Sequence, residues 1–135
     1  FEIGKAIKLT EGADVTIIAT GHLVWEALQA SEQLEAIGIS AEVINIHTIK
    51  PLDEEAILAS VAKTKCVVTA EEHNILGGLG ESVARTLSLN SPVPQEYVAV
   101  NDQFGESGTP ALLMEKYKLN DKAIVAAVKR VLERK

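Results

Sequence analysis

The sequence has little cysteine, a deficit of positive charge and no long apolar run. Its one cysteine, Cys66, cannot close a disulfide within the chain, so no disulfide framework holds the fold. Flanked by Val67 and Val68, that residue reads as a small buried hydrophobe, and a reducing, cytoplasmic setting is the expectation. Thirteen basic residues stand against nineteen acidic ones, for a net charge of −6. A general nucleic-acid binder or a binder of anionic membranes needs a basic face, which this balance does not supply. No apolar stretch approaches the ~20 residues that span a bilayer, and no signal-peptide pattern is read at the start. Repeats, low-complexity tracts and linker-like stretches are missing as well, so one domain is expected. The chain opens on Phe1, inside what reads as a strand, and is expected to be an excerpt of a longer polypeptide.

What is present suits a globular core. With 135 residues, 47% of them apolar, the chain is long enough to bury roughly two-thirds of its unfolded surface. Phe1 to Leu9 alternates loosely and is interrupted by Lys5 and Lys8, as an edge strand would be. Val15 to Ala19 (VTIIA) is a compact β-branched run, the pattern of a strand buried on both faces. Gly21 and His22 follow it. Leu23, Ala27, Ala30, Leu34 and Ile37 then fall on one helical stripe that Gly38 ends. Ala41 to Ile46 is the next strand. Asp53 is the expected N-cap of a helix carrying Glu54 and Glu55 in its first turn and Lys63 and Lys65 at its far end, as the helix dipole prefers. Beyond Ser91 to Gln95, a connector with two prolines, Glu96 to Val100 reads as a final strand. Ala111 to Tyr117 reads as a short helix. Asn120 or Asp121 caps a last one, whose buried face is Ile124, Ala127, Val128, Val131 and Leu132.

The central stretch is VVTAEEHNILGGLGESVA, Val67 to Ala84. A buried strand opens it, Glu71, Glu72 and His73 follow in what reads as a polar loop, and Gly77, Gly78 and Gly80 lead into a helix. Strands alternating with helices give an α/β/α sandwich, and in such a sheet this loop lies at the strands' carboxyl edge, where ligands or partners bind.

Several constellations on that edge have a chemical reading. His22, His47 and His73 each fall at the end of a strand and would share an edge with Glu71 and Glu72, the side-chain chemistry of a metal site. Their spacing matches no local ligand motif, and solvated loop starts are the expected reading, with no metal site. Gly78 and Gly80 make G-x-G, but Val83 stands where a dinucleotide fingerprint has its third glycine, and the motif follows the fourth strand rather than the first. A tight turn and close helix packing account for the glycines without a ligand. No serine, cysteine or lysine is placed as a nucleophile, so no self-contained catalytic centre is expected. Trp25 lies about 160–200° around its helix from the Leu23–Ala30–Leu34 stripe. It marks either a contact surface or a site covered by a neighbouring loop of the same domain.

These residues resemble one family over nearly the whole chain: the C-terminal domain of transketolase, shared in outline with 2-oxo acid dehydrogenase β subunits and deoxyxylulose-5-phosphate synthase. The resemblance rests on IGKA (Ile3 to Ala6), EGADVTIIATG (Glu11 to Gly21), TIKPLD (Thr48 to Asp53), EEH (Glu71 to His73) and GGLGE (Gly77 to Glu81), with a looser SGTP loop before the last helices. It implies a five-stranded mixed sheet of order 1-3-2-4-5 with the first strand antiparallel at the edge. Gly21–His22 and Glu71–His73 then flank the switch-point crevice, and Gly21, His22, Trp25, Glu71, Glu72, His73, Gly77 and Gly78 become candidates for a crevice or interface. It also implies a larger enzyme moving a two-carbon ketol unit between sugar phosphates. There, thiamine diphosphate and magnesium are held by preceding pyrimidine- and pyrophosphate-binding domains across a homodimer interface. No cofactor-binding or catalytic residue is expected in this domain itself.

Overall fold

The computed structural model describes residues 5–47, 51–74, 78–100 and 119–135. Nine elements follow in order among them: β1 (Ile7–Lys8), β2 (Val15–Ala19), α1 (Leu23–Ala36), β3 (Ala41–Asn45), α2 (Glu54–Thr64), β4 (Val67–Asn74), α3 (Leu79–Asn90), β5 (Gln95–Val100) and α4 (Asp121–Glu133). The five strands form one sheet in the order β1-β3-β2-β4-β5. β2, β3, β4 and β5 run parallel, and β1 is antiparallel to β3. This is the expected α/β/α sandwich with the expected strand order. The expected short helix from Ala111 to Tyr117 lies outside the described residues.

β2 sits at the centre because every one of its residues is buried. Alternation along the strand sends Val15, Ile17 and Ala19 to one face and Ile18 to the other. The first face packs on Leu23, Ala27, Ala30 and Leu34 of α1 and on Ile124, Ala127, Val128 and Val131 of α4. The second packs on Ile57 and Val61 of α2 and on Leu79, Val83 and Leu87 of α3. Cys66 is fully buried, its thiol donates to the Asp14 carbonyl at 3.4 Å, and burial pushes its pKa up.

Two differences from the expectation have plain causes. β1 is two residues long and exposed, because it pairs only with Ile44 and Asn45 at one end of β3. Glu71, Glu72 and His73 stand on β4 and not on a loop: the strand runs on to Asn74, which pairs with Val100 past an irregularity after Ala70. The helix starts follow their sequence cues. Asp53 accepts from the Ala56 N–H at 3.2 Å, and Asn120 accepts from Ala123 at 3.0 Å.

Polar residues inside the sandwich are satisfied by one another. The Thr16 hydroxyl meets Ser60 Oγ at 2.7 Å and Thr64 Oγ1 at 2.6 Å, which locks α2 to the central strand. Glu42, 1% exposed on β3, accepts from Lys63 at 2.6 Å and from the Gly12 N–H at 3.2 Å. On the far side Glu96 of β5 pairs with Arg130 at 3.0 Å and with Arg134, holding α4 to the sheet edge.

Burial by itself would push the Glu42 pKa up. Hydrogen bonds from Lys63, Ser60 and the Gly12 N–H more than offset it, so the carboxyl is held below its usual range. Its contribution to stability is therefore fully present above the ordinary carboxylate pKa and is lost as pH falls through the lower folded value. Lys63→Met removes the cationic partner and should move the onset of acid unfolding to higher pH, followed by circular dichroism from neutral pH downward. An unchanged acid midpoint would show that the Lys63–Glu42 pair carries none of the fold's acid resistance.

Candidate functional site

The site is built by β4. Glu71 and Glu72 are consecutive on an extended strand, so their side chains leave on opposite faces of the sheet. Glu71 is fully buried on the α3 side. Its two oxygens accept from the Leu79 N–H at 2.8 Å and the Gly80 N–H at 2.7 Å, the first donors of α3. Glu72 is exposed and reaches the other layer, where it accepts from the His22 N–H at 2.8 Å at the start of α1. One strand thus closes one helix on each side of the sheet with a carboxylate.

The glycines make these approaches possible. Gly21 turns the chain out of β2 at a φ of +61°, which L side chains rarely adopt, and a Cβ there would stand 3.5 Å from the Glu72 carboxylate. Gly80 lies against the Tyr97 ring, where an added Cβ would come within 2.4 Å. Gln95 completes that corner, donating to the Gly80 carbonyl at 2.9 Å and to Thr69 Oγ1 at 3.2 Å. Close packing of α3 on the sheet therefore accounts for the glycine at position 80.

The helix dipole makes an unfilled helix start an anion site. In this chain every helix start among the described residues already holds a side-chain acceptor. α1 has Glu72, α2 has Asp53 and α3 has Glu71. α4 has Asn120, with Glu26 of α1 also accepting from the Asp121 N–H at 2.9 Å. A phosphate at α3 would have to displace a buried carboxylate that already takes both leading N–H groups.

The candidate residues divide into two groups, one on each side of β4. Gly21, His22 and Glu72 come together with Trp25, and a shallow groove of about 570 Å³ beside them also touches Asn45 and His47. Glu71 and Gly78 belong to the α3 corner on the other face. Gly77 and the side chain of His73 lie outside the described residues. Among the described residues no group of three or more His, Cys, Asp or Glu is placed to hold a metal ion. Trp25 is 58% exposed on the outer face of α1, so no described loop covers it.

Two roles had no local signal in the sequence. Glu71 caps a helix that begins eight residues later, and Glu26 closes one ninety-five residues away. Neither fits the short N-cap spacing by which capping is recognised.

Glu71→Ala leaves two buried N–H groups without an acceptor and should cost about 2–4 kcal/mol of folding stability by urea denaturation. Glu71→Gln keeps one carbonyl oxygen and should cost less. Glu72→Ala, at a hydrated cap, should cost under about 1 kcal/mol. Equal, small losses for Glu71→Ala and Glu72→Ala would show that the buried cap is not structural.

The chain is similar to known proteins over nearly its whole length. The family described as Transketolase, C-terminal domain, matches residues 4–124. Over 135 residues the chain is 54% identical to the 6-deoxy-6-sulfo-D-fructose transketolase subunit SqwH of Clostridium sp. (strain MSTE9), covering 100% of this chain and 42% of that protein. It is 39% identical over 128 residues to the 1-deoxy-D-xylulose-5-phosphate synthase of Pelotomaculum thermopropionicum, covering 93% of this chain and 20% of that enzyme. Among solved structures it superposes with a TM-score of 0.94 and 49% identity on a split gene transketolase, inactive beta4 tetramer, covering 98% of this chain and 44% of the other. The chain spans about two fifths of the length of these transketolase relatives. It belongs to the transketolase C-terminal domain family.

Proposed function

We infer that this chain is the C-terminal domain of a transketolase, supporting the fold and dimer assembly of an enzyme that transfers a two-carbon ketol unit between sugar phosphates. The observation that carries this reading is the 54% identity, across all 135 residues, to a transketolase subunit. Thiamine diphosphate and magnesium do not fit the described residues here. The helix starts that could cradle a pyrophosphate are filled by Glu71, Glu72, Asp53 and Asn120. When bound, the cofactor supplies the carbanion chemistry of ketol transfer, and preceding pyrimidine- and pyrophosphate-binding domains of a cytoplasmic homodimer would hold it. This chain's share is mechanical. Gly21, His22, Trp25 and Glu72 form the carboxyl edge against which those domains would pack, with the Glu72 carboxylate held by the His22 N–H.

A second reading keeps the same role in a different enzyme, a deoxyxylulose-5-phosphate synthase, and is favoured by the 39% identity to one. A 2-oxo acid dehydrogenase β subunit is a more distant form of the same idea. A free-standing nucleotide-binding module is disfavoured by the carboxylates already seated at the helix starts.

The chain alone should fold yet show no ketol transfer with pentose phosphates, thiamine diphosphate and magnesium, whereas the full enzyme containing it should. Turnover by the chain alone would overturn the assignment. Trp25→Ala should change the chain's own stability by no more than about 0.5 kcal/mol, as for an ordinary surface position, and weaken assembly of the full enzyme. A loss of ~3 kcal/mol in the chain alone would place Trp25 in its core instead.

A further inference from the structure

α1 carries three glutamates and no lysine or arginine. Glu26 is used, closing the start of α4. Glu32 and Glu35 are exposed, and among the described residues neither side chain has a hydrogen-bond or ion-pair partner. Both lie in the C-terminal half of the helix, where the dipole already presents negative charge and where cations are the favoured neighbours. The placement is locally unfavourable for the free domain.

The same two glutamates flank a depression of about 700 Å³ between α1 and the Thr10–Glu11 turn, with Trp25, Leu28 and Ile39 as its apolar lining. Trp25 and Leu28 also line the groove at the carboxyl edge. Thr10 closes one wall, its hydroxyl donating to the Ala41 carbonyl at 2.9 Å and accepting from the Val43 N–H at 3.0 Å. Glu11, the third carboxylate on its wall, is already committed to Lys8 and Lys63. The unspent negative charge is thus that of Glu32 and Glu35, next to a half-exposed tryptophan.

We propose that the groove along α1 is a docking site for a lysine- or arginine-bearing segment of a partner polypeptide, whose large apolar side chains pack on Trp25, Leu28 and Ile39 while its cations meet Glu32 and Glu35. Charge complementarity selects this occupant. A negatively charged or wholly apolar segment would leave two carboxylates at the negative end of a helix dipole beside a desolvated groove. A second copy of this chain, itself at −6, meets the groove with like charge overall. The proposal rests on the contact-surface reading of Trp25, a residue the two surfaces share, and is tested apart from ketol transfer through Glu32 and Glu35, which lie outside the carboxyl edge.

Trp25 is the only tryptophan in the sequence, so its fluorescence reports on the groove without labelling. The probe is a synthetic amphipathic peptide of leucine and lysine, with a leucine–glutamate peptide of equal length as control. The lysine peptide should shift Trp25 emission to the blue and bind more weakly as salt rises; the glutamate peptide should do neither. The double variant Glu32→Gln/Glu35→Gln should weaken binding about twofold to thirtyfold, the range that two exposed ion pairs supply. The control double variant Glu55→Gln/Glu133→Gln, with the same net charge, should bind as the parent does. The proposal is overturned by an absent blue shift, by equal binding of the glutamate peptide, or by equal weakening in both double variants. A blue shift that grows with protein concentration without peptide would also overturn it, assigning the groove to a second copy.

Discussion

Glu71 and Glu72 follow each other on β4, and the pleat of an extended strand sends them to opposite layers of the sandwich. Each reaches the first N–H groups of a helix there, α3 for Glu71 and α1 for Glu72. The remaining geometry of the carboxyl edge depends on this pair. Gly21 must be left-handed for the chain to bring His22 under Glu72, and Gly80 must lack a side chain for α3 to approach Tyr97 while its N–H meets Glu71. A fold of this class ordinarily leaves such helix starts to an anionic ligand. Here the anion is covalently part of the sheet.

That arrangement leaves the leading N–H groups of α3 with no vacancy for a phosphate. Where a nucleotide-binding relative of the architecture would present bare N–H groups to a phosphate, this chain presents them to its own carboxylates. The interior is treated the same way. Thr16, Ser60 and Thr64 satisfy one another, and Glu42 is matched by Lys63 and the Gly12 N–H, so polar groups inside the sandwich serve to orient α2. The outer face of α1 carries the exposed Trp25.

The architecture was legible in the sequence because its signals are local. VTIIA reads as a doubly buried strand, Asp53 and Asn120 sit where caps belong, and the apolar stripes of α1 and α4 repeat at helical spacing. The strand order and the antiparallel edge came from family resemblance, since crossover choices leave no mark on residue periodicity. The polar run at Glu71 to His73 read as a loop because charged residues are rare in a strand buried on both faces. Only the distant N–H groups of Leu79 and Gly80 make Glu71 tolerable there. The same long range hid Glu26 and Glu42, whose partners lie on other elements. Trp25 was legible for the opposite reason, because a helical wheel alone puts it off the core stripe.

The Glu71–Glu72 pair also bears on the order in which the molecule acquires its rigidity. β2 pairs with β3 through one β-α-β unit, whereas its partnership with β4 closes only after a second. Loop closure favours the nearer pairing first. Until β4 docks, α1 and α3 lack their distant caps and their leading turns are free to fray. The backbone amides of His22, Leu79 and Gly80 therefore share one protecting event although they belong to different layers. Hydrogen exchange at those three positions is a direct clock for the seating of a single strand.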